Sequence, residues 1–250
     1  MFNKIHLKIL FILSILLLPI SQVFAVAVLP EITRIVTIQP IVVSDNNGDN
    51  TATFLGSASQ QASIEGFIDG IWGQAGVDVN FLSANLWNNT FANEGTFNPR
   101  PQSDLNTIIN SANTAGITHD NPDFINIFFV NTPAGFETMG PNSAAGLALV
   151  NGNGISQFVG SNLLDFVSGQ ETVASVVAHE IGHNLGLFHT ANGIDNLMSP
   201  SGTGNSLTPE QINTVLDSRF AIVSAVPVPP AVWLFGSSLI GLASVSRRKI

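Results

Sequence analysis

No cysteine occurs in the 250-residue chain, which excludes disulfide bonds and thiolate metal sites together. The absence does not decide the compartment, because export permits disulfides without demanding them. Tyrosine is missing as well, so no phenol is available for catalysis. Positive charge is almost confined to the ends. Between residues 26 and 225 there is no lysine, and only Arg34, Arg100 and Arg219 face all 17 acidic residues, a formal balance of −14. A surface this acidic repels nucleic acid and anionic lipid, so neither is an expected partner. No internal repeat and no second core-forming region is visible, and the length suits one domain once the ends are set aside.

Both ends read as address labels. Lys4 and Lys8 precede an apolar run from Ile9 to Ile20, and Val23-Phe24-Ala25 places small residues where a signal peptidase cuts. This predicts a signal peptide over 1–25 and a processed N-terminus near Val26. The alternative is a retained membrane anchor, for which the run is short. At the far end Pro227-Val228-Pro229-Pro230 leads into an apolar stretch, Ala231–Val245, closed by Arg247-Arg248-Lys249. The basic cluster predicts a cytoplasmic C-terminus and a body on the opposite side of the membrane.

The interior 26–225 alternates strand and helix signals. Ile32–Val43 has the period of a strand, and Ser44–Asn50 is rich in turn formers. Ile64, Phe67, Ile68 and Ile71 predict an amphipathic helix from Ser57 to about Gly73. Val77–Leu86 reads as a second strand, and Asn88–Pro101 as irregular. A short helix is expected over Asp104–Ala112 with Ser103 as its cap, and a buried strand over Phe124–Asn131. Thr132–Ser143 reads as loop. Gly146–Val150 and Ile155–Val159 are short strands around the turn Asn151-Gly152-Asn153-Gly154. A helix follows over Glu171–Gly186. Thr208-Pro209-Glu210-Gln211 matches a capping box with proline in the first helical position, opening a terminal helix over Pro209–Ile222. One α+β domain results.

The chemistry lies in His179-Glu180-Ile181-Gly182-His183-Asn184-Leu185-Gly186-Leu187-Phe188-His189. Histidines at i and i+4 of a helix stand about 40° apart around its axis, one turn above the other. Their ring nitrogens can reach one ion that bonds nitrogen at about 2.0–2.1 Å. Glu180 can lean toward the open position of that ion without ligating it. Gly186 can take positive φ, stop the helix and turn the chain back, bringing His189 round as a third ligand. The composition yields the short His-Glu-x-x-His pattern by chance in roughly 3 of 1,000 such chains, and with Gly186 and His189 in below about one in 100,000. The pattern is therefore a site: one zinc ion on His179, His183 and His189, with Glu180 as general base.

Over these residues the chain resembles the metzincin metallopeptidases, whose extended motif it matches at every defining position. The resemblance runs from about Gly146 to Phe220, and upstream it rests on the order of elements. It implies a mixed twisted sheet with an antiparallel edge strand, an active-site helix and a C-terminal helix. It implies that Met198, in Asp195-Asn196-Leu197-Met198-Ser199-Pro200, lies in a turn beneath the metal; taken alone, Met198 also suits core filling. His-Asn-Leu-Gly resembles the reprolysins and Gly-Leu-Phe-His-Thr the pappalysin-like enzymes, while Thr190 stands where reprolysins carry Asp. Some metzincins place a tyrosine after the methionine turn; here Ser199-Pro200 follows, so catalysis would rest on the metal and Glu180.

The resemblance also implies that a protein or peptide substrate adds to the edge strand Gly146, Leu147, Ala148 and Leu149, with Ser199–Thr203 walling the primed side. An ordinary interior strand is the other reading of that segment. The C-terminal stretch 226–250 resembles the PEP-CTERM sorting signals of Gram-negative bacteria, with Val228 in place of the usual glutamate, and implies processing by an exosortase. A plain membrane anchor is the alternative. The chain is thus expected at the cell surface or outside a Gram-negative bacterium, touching the membrane only through its tail. Two other functions stay open: a non-catalytic surface or matrix protein on the same scaffold, and an amidase acting on cell-wall crosslinks. Asp45, Asn47 and Asp49 have the spacing of a calcium loop but lack its distal glutamate, so a solvated turn is the expectation.

Overall fold

The computed structural model describes residues 30–95, 101–132, 145–200, 202 and 204–224. The expected leader 1–25, most of the expected loop Thr132–Ser143 and the expected sorting tail 226–250 lie outside them.

The central strand is β1, Arg34–Ser44, buried without a break from Val36 onward, as suits a strand covered on both faces. One of its edges takes two parallel strands in succession, β2 (Val77–Phe81) and β3 (Asn85–Asn88). The other edge takes β4 (Ile125–Val130) in parallel register, Ile38 opposite Ile125. Parallel to β4 runs β6 (Gly154–Phe158), and antiparallel to β6 runs β5 (Gly146–Ala148). The order β2-β1-β4-β6-β5 leaves β5 at the rim. The strand expected over Gly146–Val150 is therefore an edge strand rather than an interior one, as the resemblance implies, and it ends at Ala148.

Alternation along β1 and β4 builds two cores. Val36, Ile38, Ile125, Ile127 and Phe129 face α1 (Ala58–Trp72) and α4 (Val167–Asn184). Ile41, Val43, Phe128 and Val130 face α3 (Pro101–Thr114) through Leu105, Ile108 and Ala112. Each buried Ile, Phe or Val contributes about 1.5–3 kcal/mol relative to exposure. The layers hold α4 fixed against the sheet by Val173, Ala174, Val177, Ala178 and Ile181, all within 4% exposure. A mixed sheet with an antiparallel rim, a site-bearing helix and a C-terminal helix is the expected arrangement.

Several boundaries differ from the sequence expectation. The stretch expected to be irregular, Asn88–Pro101, holds a short helix, α2 (Thr90–Glu94), directly after β3 ends at Asn88. The Asn89 side chain caps α2 by accepting from Ala92 N–H at 2.8 Å, and fully buried Asn93 donates to the Asn50 carbonyl. Asparagines that look like loop composition here do capping and bridging. Val77–Leu86 is not one strand but two, broken after Phe81. Helix α3 begins at Pro101, so Ser103 lies within it and is not its cap. Helix α4 begins at Val167, a turn before Glu171; Phe166 and Val167 are exposed, so no buried apolar period marks its start. The last helix, α5, spans Pro209–Leu216 rather than reaching Ile222. The chain then turns so that β7 (Ile222–Val223) pairs antiparallel with Ile35 and Arg34. The expected capping box is present, with Gln211 N–H donating to Thr208 Oγ1 and Thr208 N–H to Gln211 Oε1. No helix among the described residues is long and apolar enough to cross a membrane.

Candidate metal centre and cleft

Helix α4 carries His179 and His183 one turn apart, with Val173, Val177 and Ile181 anchoring its opposite face in the core. Val176 lines the cleft. Gly186 ends the helix at φ +102°, with its N–H bonded to the His183 carbonyl and Leu187 N–H to the Gly182 carbonyl. These bonds close the last turn and reverse the chain. The reversal delivers His189, next to Thr190, whose N–H donates to the Met198 carbonyl at 2.9 Å.

The three imidazoles meet. His189 Nε2 lies 3.1 Å from His179 Nε2 and 3.0 Å from His183 Nε2. Nitrogens bound tetrahedrally to one zinc at about 2.0–2.1 Å stand about 3.3 Å apart, so the spacing fits a single ion. Two of the rings are oriented by backbone. His179 Nδ1 is 2.7 Å from the Leu197 carbonyl and His183 Nδ1 is 2.8 Å from the Leu187 carbonyl. A carbonyl only accepts, so each Nδ1 carries the hydrogen and each Nε2 presents a lone pair. Desolvation lowers the pKa of both, that of His183 to about 4 against the opposing bond to Leu187. Both rings are thus kept neutral, the form that binds a metal. Among the described residues this is the one group of three or more His, Cys, Asp or Glu with converging ligand atoms.

Glu180 sits beside this point and is 6% exposed. Burial pushes its carboxyl up to about 8, against a hydrogen bond from the Ala148 backbone. The carboxylate lies flat on β5, where Gly146 leaves room for it. Met198 is fully buried, and its sulfur underlies the metal helix at Gly182, where a Cβ would come within 2.6 Å of it.

A cleft of about 750 Å³ opens in front of these groups, bounded by β5 and the segment to Val150, by α4, and by the chain from Leu197 to Gly204. Gly146, Leu147, Ala148 and Leu149 all border it, as do Ser199, Pro200 and Gly202 of the expected primed-side wall; Ser201 and Thr203 lie outside the described residues. Sequence reasoning missed Ser168, Glu171, Thr172 and Ser175 on α4, although counting back from His179 by three and four would have found them. It also missed Asn184, whose amide donates to the Leu149 carbonyl at 3.1 Å and ties the cleft rim to the metal helix. Asp45, Asn47 and Asp49 form a turn closed on itself, with Asn47 Nδ2 donating to Asp49 Oδ2 at 2.8 Å.

Residues 59–190 match the family described as metallo-peptidase family M12B, reprolysin-like. No curated protein sequence matches the chain. Among solved structures it is similar to the archaemetzincin of Archaeoglobus fulgidus complexed with malonate, at 16% identity and a TM-score of 0.41 over 72% of this chain and 99% of that one. It is similar to the archaemetzincin of Methanopyrus kandleri at 15% and 0.47, over 73% and 94%. It is also similar to metalloproteinase-II of Bacteroides fragilis at 15% and 0.48, over 78% of this chain and 55% of that one.

Proposed function

The chain belongs to the reprolysin-like M12B family of metallopeptidases, and we propose on that footing that it is an exported zinc endopeptidase in which Glu180 is the general base. Zinc dependence and peptidase activity come with the family. The choice of residues, the direction of substrate and the location are our reading. One observation carries it: three imidazole nitrogens converge, that of His189 lying 3.1 and 3.0 Å from those of His179 and His183, while a buried carboxylate lines the same cleft against an edge strand.

His179, His183 and His189 would hold the ion through Nε2. Bound there, zinc supplies Lewis acidity toward the scissile carbonyl and lowers the pKa of water. An extended peptide fits beside β5, the rim of the sheet, as an added antiparallel strand. Gly146 keeps the carboxylate of Glu180 close to that strand and so close to the bond to be cut. Ionised beside the bound cation, the Glu180 carboxylate would take a proton from water, and its burial, which favours the neutral form, would let it hold that proton until it passes to the leaving amine. No tyrosine exists in the chain to share this work.

For location, the reading rests on the leader 1–25 and the tail 226–250. Thr33 and Ser224, joined by a hydrogen bond of 3.0 Å, bring both ends of the domain to one place. Signal peptidase cleavage near Val26 and exosortase processing of the tail follow from the resemblance.

The test is cleavage of casein and of a mixed peptide library by the zinc-loaded chain, with a chelated sample and the Glu180→Gln variant in parallel. Cleavage by the loaded wild type alone is expected. A wild type as inert as Glu180→Gln on every peptide would remove the endopeptidase reading. N-terminal sequencing of the exported protein should begin at Val26, and an intact residue 1–25 would refute processing.

A further inference from the structure

The part of α4 that leads up to the metal ligands has a chemistry of its own. Ser168, Glu171, Thr172 and Ser175 line the cleft, stacked turn upon turn on the face that continues to His179. Thr172 Oγ1 donates its hydrogen to the Ser168 carbonyl at 2.8 Å, and Ser175 Oγ donates to Asn205 Oδ1 at 2.5 Å. Both hydroxyls have thus committed their hydrogens and are left as acceptors toward a ligand. Glu171 adds a carboxylate, which accepts only when ionised. Among the described residues the single salt bridge joins Arg219 to Asp123, far along the chain, and no lysine or arginine lines the cleft. The wall is an anionic, acceptor-rich strip.

A lysine or arginine side chain complements such a strip, being all donors and positive charge. An aspartate or glutamate would meet like charge at Glu171, a repulsion that sharpens selection. Position follows from helix geometry. Eight residues separate Glu171 from His179, about 12 Å of rise, and an extended peptide advances about 3.3 Å per residue. Glu171 thus lies within about four peptide residues of the metal point.

We infer that Glu171 selects substrates carrying lysine or arginine within four residues of the scissile bond, on the side where α4 begins. The scissile bond itself rests on the endopeptidase reading above; the binding preference does not.

The experiment maps, by mass spectrometry, the cuts that the zinc-loaded full chain makes in a peptide library. Glu171→Gln and Glu171→Arg are compared, and Glu31→Gln removes an equal charge from an exposed position outside the cleft as control. A basic residue should be enriched at one fixed position, the enrichment falling roughly fivefold in Glu171→Gln, turning toward Asp and Glu in Glu171→Arg, and persisting in Glu31→Gln. Absence of a basic preference, or its equal loss in Glu31→Gln, overturns the inference. A second measurement needs no cleavage: fluorescence anisotropy of a labelled alanine-based peptide with one arginine, against its glutamate counterpart, on Glu180→Gln with and without Glu171→Gln. If the loaded wild type cuts nothing yet the arginine peptide binds more tightly in a Glu171-dependent way, the peptidase reading fails and this one stands. Equal binding of the two peptides overturns it.

Discussion

Glu180 packs on Gly146 so closely that a Cβ at position 146 would stand 2.6 Å from Glu180 Cγ and 2.8 Å from its Oε1. No side chain has room there unless the carboxylate moves. The pairing joins the edge strand that would carry substrate to the group that would take the proton. A displacement of about 1 Å in a catalytic group can reduce turnover about 100-fold. Gly146→Ala should therefore lower kcat/KM by roughly 10- to 100-fold while zinc content stays at one per chain. Kinetics on a fixed peptide, with metal quantitation, checks this; activity within twofold of wild type would refute the placement of Glu180.

The same carboxyl sets a pH dependence in the chelated protein. Burial raises Glu180 from 4.5 to about 8, so between those values the folded state keeps a proton that the unfolded state has released, and stability falls as pH climbs. Desolvation lowers His183 from 6.5 to about 4 and shifts His179 the same way, so below pH 6.5 the unfolded state binds protons more readily and stability rises with pH. Above 6.5 the Glu180 effect is the one of these still changing. Urea titrations of the chelated chain should show stability dropping between pH 6.5 and 8. Glu180→Gln should flatten that slope and be more stable at pH 8 by on the order of 3 kcal/mol. Parallel slopes for the two proteins would contradict the burial of an ionisable group at 180.

The metal ligands were legible because spacing on a helix is geometry: i and i+4 fix two imidazoles, and Gly186, at φ +102°, brings the third. The strands of the core were legible for the same reason, since Val36, Ile38, Ile41 and Val43 alternate between two apolar layers. What stayed hidden depends on partners distant in sequence. Helix α2 exists because Asn93 reaches the Asn50 carbonyl and accepts from Asn131 N–H, and nothing local announces either. The early start of α4 is hidden by Gly169, where an added Cβ would collide with the Leu163 carbonyl. The end of α5 at Leu216 is set by pairing of Ile222 and Val223 with the start of β1, a contact nearly 190 residues away in the chain.

Met198 and Gly182 make a coupled pair beneath the metal helix. Alanine at 182 would press on the Met198 sulfur, an overpacking that costs about 1–3 kcal/mol. Alanine at 198 would leave a cavity in place of a fully buried side chain, costing about 2–5 kcal/mol. In the double variant each change relieves the other, because the new methyl enters the space left by the thioether. The summed effects should exceed the double by at least about 1 kcal/mol. Thermal or urea unfolding of the four proteins with zinc bound gives the cycle, and strict additivity would mean that the two positions do not touch in solution.

Gln211 lies remote from the imidazoles, yet a continuous set of hydrogen bonds joins it to His179. Its amide exchanges two bonds with Asn196, at 2.8 and 3.0 Å, while its Oε1 also accepts from Thr208 N–H. Asn196 Oδ1 in turn accepts from Met198 N–H, and the Leu197 carbonyl between them fixes His179 Nδ1 at 2.7 Å. The capping residue of the last helix thus holds the turn that orients a metal ligand. Removing it leaves the amide of Asn196, 3% exposed, short of partners, at about 1–3 kcal/mol. Loss of such outer support typically weakens metal binding about 10- to 100-fold. Gln211→Ala should therefore bind zinc roughly tenfold more weakly in a chelator competition. Thr208→Ala, which removes a cap but leaves the Asn196 pair, should lose about 1 kcal/mol of stability with zinc affinity unchanged. Equal zinc affinity in the two variants would show that the cap stabilises the helix alone and does not reach the metal.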